Sequence, residues 1–313
     1  MSPIQLLFIG PADSLPHIRS CLPSSIVVVH GEDERTVDAR IGDCDAILDA
    51  HMSVHFPAAR LENSPRLKLF VTATTGVDHV DADALAARGI PLLTLRGERE
   101  VLQDITAAAE HSWLLLMACA RRLPAAFHDV LEGKWDRNRF PGPMLRGKTL
   151  GIVGVGRIGQ WMARYSSSFG MSCLGFDPYV SPWPEGIECV DLETLLDRSD
   201  FVTLHVPLIE QTRGLIGRDQ LARLCPHAIL VNTSRGAVLD EAALLEALQE
   251  RRLAAAGLDV LTNEPEVAHH PLVEYARTHD NLIITPHIGG FSPDALRHVL
   301  SFSCRRIARF FQD

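Results

Sequence analysis

The sequence lacks the features of membrane proteins and secreted proteins. Its longest uninterrupted apolar run is eight residues, 113–120, whereas a helix needs about 20 apolar residues to cross a bilayer. Residues 1–10 carry no basic cluster, and their short apolar stretch runs into Pro11 and Asp13. We therefore expect a first β-strand in this region rather than a signal peptide.

Extended basic clusters and closely spaced cysteines are also missing. The net charge is −9 and is spread along the chain, which excludes the electrostatic footprint of a nucleic-acid-binding protein. The seven cysteines form no CxxC pair, and the closest two, Cys173 and Cys189, are sixteen residues apart. A zinc ribbon or a thioredoxin-type motif is thus excluded, and we expect reduced thiols in a cytoplasmic protein.

The residues that are present predict an α/β protein of two domains. A length of 313 residues corresponds to two domains at roughly 100–200 residues each. Short β-branched runs alternate with longer amphipathic stretches, which is typical of parallel sheets covered by helices. Five strands are predicted at residues 5–9, 25–29, 46–48, 68–72 and 92–95, and six more at 149–153, 172–176, 201–206, 228–232, 256–260 and 282–285.

The order of these elements predicts a discontinuous arrangement. A helix at 104–122, ended by Pro124, separates the two series of strands, and a last helix at 294–311 follows the second series. Because the second sheet is complete by then, we assign the last helix to the first domain. The prediction is two Rossmann-like or flavodoxin-like doubly wound domains, with a nucleotide domain (100–290) inserted into a substrate domain (1–99 and 291–313).

A glycine-rich loop follows the first strand of the second series. Gly154, Gly156 and Gly159 form the G-x-G-x-x-G pattern, and a helix begins near Arg157. The first glycine allows a tight turn, the second lets the backbone approach a pyrophosphate, and the third lets the helix pack on the strand. Asp177 ends the next strand and would accept hydrogen bonds from ribose hydroxyls, so the pattern predicts NAD in preference to NADP.

Three polar residues follow three strands of the second series. Arg235, Glu264 and His287 come after the strands at 228–232, 256–260 and 282–285, so all three lie at the edge where a parallel sheet binds ligands. A guanidinium binds a carboxylate, and an imidazole supported by a carboxylate can exchange a proton with a carbonyl oxygen. Each residue alone is more often a surface, turn or loop residue, and it is their joint placement that predicts a catalytic set.

The chain resembles the NAD-dependent D-2-hydroxyacid dehydrogenase family, which includes glycerate and phosphoglycerate dehydrogenases. The similar motifs are listed here in chain order: residues 71–79 (VTATTGVDH), 147–159 (GKTLGIVGVGRIG), 205–208 (HVPL), 232–237 (NTSRGA), 257–260 (GLDV) and 285–289 (TPHIG). The resemblance implies that Arg235 binds substrate, that His287 is the acid/base and that Glu264 supports it.

The resemblance also implies further contacts. Asp259 would hold the nicotinamide carboxamide, and the backbone of Thr75, Gly76 and Val77 would bind the substrate carboxylate. His205, Val206 and Pro207 are assigned to the cofactor site, with Val206 and Pro207 packing on adenine. The remaining residues that we assign to the cofactor site are Arg157, Ile158, Thr212, Thr233, Ser234, Gly289 and Gly290.

Three regions depart from the family or suggest other roles. The charged stretch at 95–111 places Arg96 and Arg99 where they could bind a second anionic group of the substrate, and a solvated loop is the alternative. The adjacent pair His269 and His270 lacks metal-ligand spacing, so no metal is predicted. The helix at 104–122 is apolar on more than one face and resembles the family's dimer helix, which predicts a homodimer.

We therefore predict hydride transfer between NAD(H) and C2 of a small 2-hydroxy or 2-oxo acid, with no nucleic-acid or membrane partner. Two alternatives stay open at this point. The first is a non-catalytic NAD-sensing binding protein, which retention of all three catalytic residues disfavours. The second is a phosphite or formate oxidiser on the same scaffold. The residues do not distinguish among individual acids.

Overall fold

The protein divides into two compact units in a computed structural model that describes residues 3–312. One unit comprises Met1–Ile105 with Ser292–Asp313, and the other comprises Thr106–Phe291. Met1, Ser2 and Asp313, which belong to the predicted substrate domain, lie outside the described residues. No helix within residues 3–312 has the length and apolar character needed to span a membrane.

The first unit contains a five-stranded parallel sheet in the order β2-β1-β3-β4-β5. Its strands are β1 (Ile4–Ile9), β2 (Ile26–Gly31), β3 (Ala46–Asp49), β4 (Leu69–Thr72) and β5 (Leu92–Leu93). Its helices are α1 (Leu15–Cys21), α2 (Glu34–Asp38), α3 (Ala58–Glu62), α4 (Ala82–Ala87), α5 (Arg99–Leu102) and, at the end of the chain, α13 (Pro293–Phe310). The strand order is that of flavodoxin-like folds.

Both faces of this sheet are buried. Successive residues of β1 point to opposite faces, so Leu6 and Phe8 pack into one apolar cluster while Leu7 and Ile9 pack into the other. Helix α13 begins after Ser292, whose hydroxyl accepts a hydrogen bond from the Ala295 N–H, and it buries Leu300 and Ile307 in the first of these clusters. The last helix thus belongs to the first unit.

The second unit contains a seven-stranded parallel sheet in the order β12-β11-β10-β9-β6-β7-β8. The strands are β6 (Thr149–Val153), β7 (Ser172–Phe176), β8 (Glu188–Cys189), β9 (Phe201–Leu204), β10 (Ile229–Asn232), β11 (Ala255–Leu258) and β12 (Leu282–Ile284). The helices are α6 (Ala107–Ala120), α7 (Leu123–Leu131), α8 (Arg157–Ser168), α9 (Leu192–Arg198), α10 (Arg218–Arg223), α11 (Glu241–Gln249) and α12 (Pro271–Ala276). Counted within the unit, the strand order is 3-2-1-4-5-6-7, a Rossmann sheet with one added strand.

Three details differ from the sequence-based expectation. The sheet has seven strands instead of six, because β8 is an exposed two-residue edge strand without an apolar pattern. Pro124 was expected to end a helix, but it lies in the first turn of α7, where its missing N–H costs nothing. The units divide between Ile105 and Thr106 rather than after residue 99, since Leu102 is buried in the core of the first unit.

Candidate active site

The phosphate loop has the geometry that its glycines predict. Gly154 follows β6 with φ +93°, and a Cβ there would lie 2.7 Å from the carbonyl carbon of His205. A Cβ on Gly159 would lie 2.2 Å from the Gly154 oxygen, so only glycine lets α8 approach β6 this closely. A Cβ on Gly156 would meet nothing within 4 Å, which leaves open space beside the start of α8.

Asp177 lies beside this loop. One carboxylate oxygen accepts a hydrogen bond from the Val155 N–H (2.9 Å), and the other accepts one from the Tyr179 N–H (2.9 Å). Each oxygen keeps a lone pair for a ribose hydroxyl. The open space at Gly156, the start of α8 and the fixed carboxylate together fit a dinucleotide, with the pyrophosphate at the helix terminus.

The strand order reverses between β6 and β9, where open α/β sheets bind their ligands. His205 follows β9, and its Nε2 lies 2.8 Å from the Thr203 hydroxyl. Burial lowers the pKa of His205 to about 3, so its ring is neutral at pH 7. The Thr212 hydroxyl donates to the Pro207 carbonyl oxygen (2.6 Å) and thus fixes the turn that carries Val206 and Pro207.

Asp259 connects the ends of β11 and β12. Its buried carboxylate accepts hydrogen bonds from the Thr285 hydroxyl (2.6 Å), the Ile288 N–H (2.9 Å) and the Gly289 N–H (2.7 Å). A Cβ on Gly289 would lie 2.9 Å from the same carboxylate. Asp259 therefore fixes the backbone on both sides of His287, and its predicted contact with the nicotinamide carboxamide stays a prediction.

Helix α6 contributes polar residues that the sequence analysis did not assign to the site. His111 Nε2 lies 2.9 Å from the Thr285 hydroxyl and 3.2 Å from the Asp259 carboxylate. The Ser112 hydroxyl lies 2.6 Å from the Thr233 hydroxyl. Three adjacent polar residues, Glu110 to Ser112, in an otherwise apolar helix were the available signal, and only the structure shows that the last two reach the loops after β10 and β12.

His287 and Glu264 form a hydrogen-bonded pair. His287 Nδ1 lies 2.7 Å from Glu264 Oε1, and about a third of each side chain is exposed (38% and 33%). The His287 N–H donates to the Asp259 carbonyl oxygen (2.9 Å), and the residue has φ +54°, a conformation unusual for histidine. Because Nδ1 contacts Glu264, Nε2 is the ring nitrogen left for a ligand.

Arg235 lies in the loop after β10, which packs on the loop that carries Glu264. Asn232 shapes this loop by donating to the Arg235 carbonyl oxygen (2.9 Å) and accepting from the Ser234 N–H (3.0 Å). A Cβ on Gly236 would lie 2.2 Å from the carbonyl carbon of Leu261, so the two loops touch backbone to backbone. The structure thus joins His287 with Glu264 directly and places Arg235 in the adjoining loop.

The five residues predicted to bind the substrate besides Arg235 lie in the first unit. Thr75, Gly76 and Val77 follow β4, where the Thr74 hydroxyl donates to the Gly76 carbonyl oxygen (2.8 Å). Arg96 and Arg99 are exposed and follow β5. Within residues 3–312 no group of three or more His, Cys, Asp or Glu side chains could hold a metal ion.

A Rossmann sheet with a phosphate loop, an acidic residue after β7 and a histidine–carboxylate pair at its carboxyl edge defines a dinucleotide-binding oxidoreductase class. The chain belongs to the D-isomer specific 2-hydroxyacid dehydrogenase family. The family's NAD binding domain matches residues 113–289, and its catalytic domain matches residues 8–101. The predicted family, fold and cofactor are confirmed.

Individual relatives show how far the similarity extends. The D-3-phosphoglycerate dehydrogenase of Mycobacterium tuberculosis is 39% identical over 270 residues, which are 85% of this chain and 49% of that protein. The glyoxylate reductase of Korarchaeum cryptofilum is 38% identical over 284 residues, covering 88% of this chain and 82% of the relative. The crystal structure of the TT0316 protein from Thermus thermophilus has a TM-score of 0.86 and 31% identity, covering 99% of this chain and 97% of that one. The chain spans about half the length of the phosphoglycerate dehydrogenases it matches.

Proposed function

We propose that the protein is an NAD-dependent dehydrogenase that interconverts a small D-2-hydroxy acid and its 2-oxo acid. The observation that carries the proposal is the 2.7 Å contact between His287 and Glu264 at the carboxyl edge of the dinucleotide-binding sheet. Family membership supports the same reaction class. When bound, the nicotinamide supplies the two-electron exchange with C2 of the substrate.

The residues of the chain supply binding and proton transfer. In reduction, His287 gives the proton on Nε2 to the oxygen at C2, and in oxidation it takes a proton back at the same atom. Glu264 holds Nδ1 and stabilises the charged imidazole. The Arg235 guanidinium offers a planar pair of N–H donors to the substrate carboxylate.

A second anionic group on the substrate is part of this proposal. The exposed Arg96 and Arg99 provide positive charge after β5, at the carboxyl edge of the first unit's sheet. One relative is named for phosphoglycerate, which carries a phosphate besides its carboxylate. Another is named for glyoxylate, which carries only a carboxylate. Backbone contacts from Thr75, Gly76 and Val77 to the substrate carboxylate belong to the same proposal.

A screen of 2-oxo acids against NADH absorbance tests the proposed function. Glyoxylate, hydroxypyruvate and phosphonopyruvate differ in size and in the number of anionic groups. Turnover of at least one such acid, with the 2-hydroxy acid as product, is the expected result. NADH binding without turnover of any acid would instead indicate an NAD-sensing binding protein. Oxidation of formate or phosphite would indicate a formate or phosphite oxidiser on the same scaffold.

We also propose that the protein is a homodimer in the cytoplasm. Five large apolar residues on α7 and just after it are exposed: Leu123, Phe127, Val130, Leu131 and Trp135. Exposed apolar surface of this kind supports burial against a second copy. All seven cysteines are free thiols, which supports a reducing compartment.

A further inference from the structure

The carboxylate of Glu241 binds both ends of the loop that carries Glu264. This segment, residues 262–270, is called the Glu264 loop below. At its beginning, Glu241 Oε1 accepts the Thr262 N–H (2.8 Å) and Glu241 Oε2 accepts the Thr262 hydroxyl. At its end, His270 Nε2 lies 3.0 Å from Glu241 Oε2. Both ends of the loop are therefore bound to the first residue of α11.

The pair formed by Glu241 and His270 is well shielded from solvent. Only 12% of the Glu241 side chain and 8% of the His270 side chain are exposed. His270 Nδ1 accepts the Leu272 N–H (3.3 Å) at the start of α12, so the ring proton lies on Nε2 and donates to Glu241. The pair thus joins the start of α12 to the first residue of α11.

The Glu264 loop has little regular structure of its own. Its backbone hydrogen bonds are short-range, such as Glu266 N–H to the Asn263 oxygen (2.9 Å) and His270 N–H to the Val267 oxygen (3.0 Å). Asn263 has φ +62°, a left-handed conformation that asparagine tolerates in turns. The Leu261 N–H donates to Glu264 Oε2 (3.4 Å), and the contacts at the two ends of the loop fix the backbone that carries this carboxylate.

We propose that Glu241 and His270 are positioning residues for the pair formed by Glu264 and His287. They contact neither the substrate nor the reacting atoms. By fixing both ends of the Glu264 loop, they hold the Glu264 carboxylate within hydrogen-bond distance of His287 Nδ1. The proposal rests on the proposed function, because it assigns Glu264 a part in the proton transfer at His287.

Substitutions of Glu241 and His270 test this positioning role. Glu241→Gln keeps the shape of the side chain but offers one acceptor oxygen to three donors, and His270→Ala removes the second tether. For both variants we expect a loss of about tenfold in kcat for reduction, an NADH Kd close to that of wild type, and a reductive pH profile displaced toward lower pH. The displacement is expected in the same direction as in Glu264→Gln, because the imidazolium loses its carboxylate in each case.

Two further variants serve as controls. Glu246→Gln makes the same chemical change on the same helix, at a half-buried residue paired with Arg218, and should leave both kcat and the pH profile unchanged. His270→Gln keeps a donor near Glu241 and should restore most of the kcat that His270→Ala loses. Should Glu241→Gln not fold, Thr262→Val removes only the hydroxyl contact and should shift the pH profile by a smaller amount.

The outcomes separate positioning from stability alone. If Glu241→Gln and His270→Ala lower Tm but leave the pH profile at its wild-type position while Glu264→Gln displaces it, the proposal is wrong and the proposed function stands. If Glu264→Gln itself displaces nothing, the assignment of Glu264 fails and the positioning role fails with it. A displaced profile together with unchanged NADH binding supports the proposal.

Discussion

Glu264 is the residue whose contribution can be isolated most cleanly. Its carboxylate lies 2.7 Å from His287 Nδ1 and favours the charged imidazole. Reduction requires the imidazolium, so the reductive rate falls as pH rises and the proton is lost. In Glu264→Gln this fall should occur at lower pH, because the neighbouring negative charge is gone.

The measurement is the reductive kcat/KM between pH 5 and pH 9 with the best 2-oxo acid. The control is Glu266→Gln, an exposed residue two positions along the same loop, which should leave the profile unmoved. An identical profile in Glu264→Gln and wild type would remove Glu264 from the proton-transfer step.

His205 gives a second pH prediction, which concerns stability. Burial lowers the pKa of His205 from 6.5 to about 3 in the folded protein. The unfolded chain therefore takes up the proton first, and the folded state loses stability as pH falls from about 6.5 toward 3. At pH 5 this loss is about 2 kcal/mol for a single such group.

His205→Gln cannot take up that proton and should not show this part of the loss. The test compares the free energy of unfolding in urea at pH 7 and pH 5 for wild type and variant, both without NAD. Between pH 7 and pH 5, the free energy of unfolding should fall by about 2 kcal/mol less in the variant than in wild type. If the free energy of unfolding changed with pH by the same amount in both proteins, His205 would not be buried as a neutral ring.

At the scale of elements, the glycines of the phosphate loop separate packing from ligand binding. A Cβ on Gly159 would lie 2.2 Å from the Gly154 oxygen, whereas a Cβ on Gly156 would meet nothing within 4 Å. Gly159→Ala should therefore push α8 away from β6 and cost about 1–3 kcal/mol of stability. Gly156→Ala should leave Tm unchanged and weaken NADH binding, since its methyl group would enter the space predicted for the pyrophosphate.

Thermal unfolding and NADH fluorescence titration measure the two effects separately. Equal loss of Tm in both variants would contradict the assignment of Gly156 to ligand approach. Normal NADH affinity in Gly156→Ala would place the pyrophosphate elsewhere.

The elements most visible in the sequence were the central strands. The predicted bounds of β6 and β7 agree with the structure, because buried parallel strands read as compact apolar runs ended by glycine or aspartate. The edge strand β8 was missed, since Glu188 and Cys189 are exposed and carry no such run. The sequence did not predict the start of α7. A proline after a helical stretch can either end that helix or lie in the first turn of the next one, and Pro124 does the latter.

The candidate site was only partly accessible from the sequence for a related reason. The strand-end rule predicts Arg235, Glu264 and His287 as site residues, because it needs only the strands and the residues after them. His111 and the pair of Glu241 with His270 act through contacts between distant segments, 174 residues apart for His111 and Thr285. Such pairs follow from packing rather than from spacing, so the sequence alone assigns no role to His270.

At the scale of the whole molecule, oligomeric state is the property that the exposed surface predicts. Phe127 and Trp135 are 63% and 90% exposed, values unusual for large apolar side chains in a monomer. We expect a dimer by light scattering, and we expect Phe127→Arg combined with Trp135→Ser to shift it toward monomer. The matched control is Tyr179→Ser, which changes an exposed aromatic residue of the same unit away from α7. A wild-type monomer at micromolar concentration would contradict the proposed homodimer.

The central claim is that His287 exchanges a proton with the substrate while the dinucleotide is bound independently of it. The most direct measurement is the kcat of His287→Ala for 2-oxo acid reduction, determined together with its NADH Kd. The account predicts a loss of kcat of about 10²–10⁴-fold, the usual contribution of a general acid, with NADH affinity retained. Near-normal turnover, or loss of NADH binding with the fold intact, would contradict it.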